Sequence, residues 1–141
     1  KNTSTEVRVG GLQVVGSYSN GLIDEVAIFN SELSSSNVSS MSYNGIPTDI
    51  SSLNPVGWWR MGDNDGGTGT TITDQGSGGN NGTLINTASP NGIVTDAPLI
   101  NQYSVSFDGT DDYIDLGTSS SLRSMVSCIR HLERKHCNFV R

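Results

Sequence analysis

Residues 21–30 read GLIDEVAIFN, a run whose alternation makes it a β-strand. Leu22, Val26 and Ile28 fall on one face, and Ile23, Ala27 and Phe29 on the other. Both faces are largely apolar, and whichever of them the strand turns to its core, one carboxylate goes with it. One of its two carboxylates, Asp24 or Glu25, must then point inward, where it needs a cation or several N–H donors.

Working outward, EVRVGGLQVVG at 6–16 reads as strand broken at Gly10 and Gly11, followed by a turn over 19–21. Downstream, Ser34 is placed as an N-cap, with Leu33 and Val38 as a hydrophobic staple and Met41 extending the stripe, so one short helix is predicted to end near Gly45. The segment 46–55 holds two prolines and no sustained period, and reads as a linker. VGWWRMGD at 56–63 leads into a glycine-rich span to Gly82, the short strand GTLIN at 82–86 and a longer loop from Thr87 to Leu99. In YSVSFDG at 103–109, alternation places Tyr103, Val105 and Phe107 inward and Ser104 and Ser106 outward. DDYIDLG at 111–117 completes a hairpin-like unit around Gly109.

Glycine, serine, threonine, asparagine and aspartate dominate, while lysine, glutamate and alanine are scarce, a balance that favours short strands and tight turns. With 141 residues, 33% of them apolar, one modest core is expected. Thirteen of the 14 acidic residues lie in 1–122, against only Lys1, Arg8 and Arg60. So acidic a body disfavours nucleic acid and anionic membrane as partners and suits neutral glycans or hard cations. No apolar run approaches the roughly 20 residues needed to cross a bilayer. The opening on Lys1 predicts a piece of a longer polypeptide.

From residue 123 the character changes. Five of the eight basic residues and both cysteines lie in 123–141. Leu122, Met125, Val126, Ile129 and Leu132 recur at helical spacing, which predicts a basic amphipathic helical tail of little weight for stability. Cys128, His131, His136 and Cys137 do not match paired zinc-ligand spacings.

Two stretches resemble the laminin G-like, concanavalin A-like lectin-glucanase jelly-roll family. PVGWWRMGDNDGGTGTTITDQGSGGNNGTLIN at 55–86, continued by YSVSFDGTDDYIDLG at 103–117, resembles the opening of such a domain. GLIDEVAIFNSELSSSNVSSMSYNG at 21–45 resembles its closing strand and helical turn. The closing signature precedes the opening one. The resemblance thus implies closing strands of one repeat at 1–45, a linker at 46–55, opening strands of a second repeat at 56–122, and a tail at 123–141 outside the family pattern. The implied fold is an all-β, antiparallel jelly-roll β-sandwich, partial or permuted. In it strand 22–29 should lie antiparallel beside 103–107, and an uncovered sheet edge would favour self-association.

The candidate chemistry is sparse. Glucanases of this architecture present two carboxylates from one strand about two residues apart. Asp24 and Glu25 are adjacent and on alternation face opposite sides, so no enzyme is expected. Trp58 and Trp59 are successive strand residues: one is assigned to the core, and the outward one, with Tyr113, is a candidate ligand-binding surface. Asp63, Asp65 and Asp74, eleven positions after Asp63, echo the spacing of a calcium loop, but Gly67 and Thr68 stand where the loop needs an oxygen ligand and its turn glycine, which leaves only a looser loop site open; Asp108, Asp111 and Asp112 read as turn formers. The resemblance implies a structural Ca²⁺ at Asp24, Asp74 and Asn81; the competing reading pairs Asp24 with Arg60 or Arg8. The expected function is a non-catalytic binding or adhesion module, glycan-recognising, from a repetitive extracellular or virion-surface protein, with neighbouring repeats as partners. Its rival is a structural spacer repeat that binds nothing small.

Overall fold

The computed structural model describes residues 6–11, 16–43, 45–87, 92–95, 102–123, 126–131 and 138–140, and from residue 123 onward the backbone alone. In chain order the elements are β1 Arg8–Val9, β2 Asn20–Phe29, α1 Ser35–Ser40, β3 Ser42–Tyr43, β4 Ile46–Pro47, a 3₁₀ turn Ser51–Leu53, β5 Gly57–Trp59, β6 Thr71–Ile72 and β7 Gly82–Ile85. They continue with β8 Ile93–Val94, β9 Ser104–Asp108, β10 Tyr113–Asp115, α2 Ser120–Arg123, β11 Val126–His131 and β12 Asn138–Val140. Among the described residues every strand pairing is antiparallel, and the fold is all-β apart from short helices.

One sheet runs β1-β10-β7-β6 and a larger one β12-β11-β2-β9-β8, with β5 also on β2. Their inner faces share one core. Val9, Ile72, Leu84 and Ile114 come from the first sheet, and Ile23, Val26, Ile28, Trp59, Val105 and Phe107 from the second. The pairing of β2 with β9 is the one expected, with Leu22 opposite Ser106 and Ile23 opposite Val105. Val105 and Phe107 are buried as alternation predicts, although Ser104 is buried as well and Tyr103 only half-buried. Tyr103 is occupied elsewhere: its ring lies over Gly67, at φ +66°, where a methyl group would sit 2.2 Å from it.

The second apolar face of β2 also finds its cover. Ala27, Phe29, Trp58 and Ile50 form a separate buried cluster, closed by Leu33, Met41 and Leu53. Segment 46–55, read from sequence as a linker, supplies Ile50 and Leu53 to this cover. Helix α1 begins as predicted, with the Ser34 hydroxyl accepting from the Asn37 N–H. It ends at Ser40, short of Gly45, because β3 and β4 form a small hairpin in which Ser42 faces Pro47.

The C-terminal segment departs from expectation. A helix from residue 123 is replaced by α2, which stops at Arg123, and by strand β11, which lies along β2 from Ile23 to Phe29. The reason is the backbone of β2: a helical tail satisfies its own N–H and C=O groups and leaves a long central edge unpaired, whereas a strand pairs it. The expectation that this tail matters little for stability changes accordingly. Deleting residues 123–141 should cost on the order of 2 kcal/mol, or roughly 5–10 °C in melting temperature, and should promote self-association through the bared edge. Calorimetry and size-exclusion chromatography check this; an unchanged midpoint with monomeric elution would contradict it.

Candidate functional site

The site grows from an irregularity in β2. Between the segment paired to β9 (20–23) and the segment paired to β5 (26–28), Glu25 takes the left-handed conformation at φ +50°. The register against β11 also slips there, from Ile129 opposite Val26 to His131 opposite Ile23. One extra residue is thus inserted in β2, a β-bulge. It shifts the alternation by one position, so Ile23 joins Val26 and Ile28 in the main core. Strict alternation had placed Ile23 with Ala27 and Phe29. It had also placed Asp24 and Glu25 on opposite faces, yet both carboxylates belong to one electrostatic cluster with Arg60 and Asp63.

Within this cluster Glu25 accepts from Trp58 Nε1 at 2.6 Å and from Arg60 Nε at 2.9 Å. Arg60 reaches Asp63 at 3.4 Å and lies over the Trp58 ring, 5.4 Å from its centroid. Asp63 accepts in turn from the backbone N–H groups of Gln102 and Tyr103 at 2.8 and 3.0 Å. Asp24, 1% exposed, accepts from the Glu25 N–H at 2.8 Å. Burial, joined by the negative charges of Glu25 and Asp63, pushes its carboxyl up to about 8 despite Arg60. Burial likewise holds Glu25 above the ordinary range, outweighing the hydrogen bonds from Trp58 and Arg60.

Beside the cluster opens a cleft of about 400 Å³ whose walls include Thr48, Asp49, Trp58, Arg60, Asn64 and Gln75. It carries hydroxyl, carboxylate, carboxamide and guanidinium groups next to the Trp58 indole. Neither Asp24 nor Glu25 lines it. The Asp49 carboxylate accepts from the Ser51 N–H at 2.8 Å, which holds its pKa below the usual value.

Of the aromatic residues singled out in the sequence, Trp58 lines the cleft. The expected outward member of the pair is absent, because both tryptophans are buried: Trp58 in the Ile50 cluster, and Trp59 fully, in the main core, with Nε1 donating to the Asn80 carbonyl at 2.8 Å. Tyr113 lies in the other sheet, half-buried, with the Arg8 guanidinium 4.0 Å from its ring centroid. Trp58 and Tyr113 therefore do not form a common surface.

Among the expected metal ligands, Asp74 and Asn81 do meet, the Asn81 side-chain oxygen accepting from the Asp74 N–H at 3.0 Å. The Asp74 carboxylate itself accepts three backbone N–H groups, of Trp58, Gly76 and Asn80, at 2.7 to 2.8 Å. Asp24 sits in the field of Glu25, Asp63 and Arg60. Asp65 accepts from the Thr73 N–H and hydroxyl. The three aspartates of the glycine-rich span thus act chiefly as fasteners of backbone. The side chains of Cys128, His131, His136 and Cys137 lie outside the described residues.

The sequence pointed to Trp58 and to a cation near the β2 carboxylates, but not to Glu25 as the partner of Arg60, nor to Asn64 and Gln75 in one cleft wall. Only the bulge and the folding of 46–51 against β5 bring these together, and neither leaves a periodic trace. No protein-family model, curated protein or solved structure matches the chain.

Proposed function

We propose that the chain is a non-catalytic recognition module of laminin G-like, jelly-roll type, binding a neutral, hydroxyl-rich ligand of the glycan class in the cleft beside Trp58. The cleft carries this reading, because planar carboxamides, a carboxylate, a hydroxyl and a guanidinium beside an indole match the hydroxyl-rich, partly apolar surface of a sugar. The state of the two strand carboxylates supports a role without catalysis. Both oxygens of Glu25 are engaged by Trp58 and Arg60, and Asp24 is buried away from the cleft. The acidic body and the glycan class of ligand suit an extracellular or virion-surface setting with neighbouring repeats in a longer chain.

A glycan array probed with the full chain should give a reproducible sugar-specific signal. Asn64→Ala and Gln75→Ala should each weaken it about tenfold, the scale of one or two lost hydrogen bonds. Silence across the array would favour the spacer-repeat reading, and binding indifferent to both substitutions would move the ligand away from this cleft.

A further inference from the structure

We propose that the turn between β9 and β10 is a calcium site formed by the carboxylates of Asp108, Asp111 and Asp112. One carboxylate oxygen from each of the three lies within 4.8 Å of the others. Turn duty explains part of this arrangement: Asp108 Oδ1 accepts from the Thr110 N–H at 2.7 Å and Asp112 Oδ2 from the Asp108 N–H at 2.8 Å. It does not explain the other oxygen of Asp112. That residue is 1% exposed, and its Oδ1 is buried with no hydrogen-bond partner among the described residues. A buried carboxylate oxygen without a donor is costly, the more so beside two further negative charges.

A hard divalent cation answers both features at once. It supplies the missing partner of Asp112 Oδ1 and offsets the mutual repulsion of three carboxylates. All three ligands are oxygens, which disfavours zinc. Oxygens within 4.8 Å of one another can share one cation, and calcium, which accepts irregular sets of carboxylates and waters, suits a turn of this kind better than magnesium, which demands near-ideal octahedral geometry. Asp108 and Asp111 are exposed, which leaves that side open for waters to complete the coordination. The site is separate from Asp24, Asp74 and Asn81.

Calorimetric titration of the chelator-treated full chain with CaCl₂ should show one site per chain, binding more tightly than MgCl₂. Asp111→Asn, at an exposed position that leaves packing intact, and Asp112→Asn should each weaken it at least tenfold and abolish the calcium-dependent rise in melting temperature. Asp24→Asn should bind like the parent. Absence of binding at millimolar calcium overturns the proposal. So does binding that survives both turn substitutions, or that is lost in Asp24→Asn.

Discussion

Raising the pH from 5 to 8.5 should destabilise the folded protein by a few kcal/mol, and Asp24→Asn should remove most of that dependence. In the unfolded chain an aspartate releases its proton near pH 4. In the folded protein burial and the charges of Glu25 and Asp63 keep Asp24 protonated up to about 8. Between these values the native state holds more protons than the unfolded one, so stability falls as pH rises. The contribution is fully present below about pH 4 and is gone above about pH 8. Each pKa unit corresponds to about 1.4 kcal/mol, and some rearrangement around the newly formed charge reduces the total to a few kcal/mol. Glu25, shifted in the same direction, adds to the slope. The carboxamide introduced by Asp24→Asn resembles the protonated carboxyl in shape and charge, so the variant should match the parent at pH 5 and exceed it at pH 8.5. Urea midpoints measured at both pH values provide the test. A flat profile for the parent, or an equally steep one for Asp24→Asn, would contradict the assignment.

Much of the frame was legible because strand alternation and turn chemistry are local. Val105 and Phe107 announce the inner face of β9, and Ser34 with Val38 announces the start of α1. Both faces of GLIDEVAIF were legibly apolar, and the structure covers each, one by the main core and the other by the Ile50 cluster, whose Ile50 comes from the segment read as a linker. Alternation failed at Glu25, because a glutamate in the left-handed region, at roughly 1–2 kcal/mol of backbone strain, leaves no signature in residue type. That single insertion returned Ile23 to the core and put Asp24 and Glu25 into one cluster. The helical reading of the tail failed over 126–131 and 138–140 for a different reason. Val126 and Ile129 fit a short helical stripe as well as they fit a strand, and the deciding factor, the unpaired backbone of β2, lies about a hundred residues away in the chain.

Arg60→Met should then be the most damaging substitution in the site, and its cost should grow with pH. Arg60 provides the guanidinium that meets both Glu25 and Asp63, at 2.9 and 3.4 Å. Methionine keeps much of the aliphatic stem over Trp58 and removes the charge. Glu25 retains the bond from Trp58 Nε1, but its other oxygen loses a partner while remaining buried. Removing one member of a buried ion pair typically costs about 3–5 kcal/mol, and partial exposure of Arg60 places the expected loss near the low end, about 3 kcal/mol, at pH 8. At pH 5 Asp24 holds its proton and Glu25, already shifted upward, takes one up more readily than an exposed glutamate, so the loss should shrink to about 1 kcal/mol. Because Arg60, with the Glu25 N–H for Asp24 and Trp58 for Glu25, helps draw the two carboxyls down, its removal should also carry the falling limb of the stability profile to higher pH. Glu25→Gln in the same background should restore part of the lost stability at pH 8, since it removes the charge left without its cation. Equal losses at both pH values, or no recovery in the double variant, would show that Arg60 acts through packing on Trp58 and not through the carboxylates of the bulge.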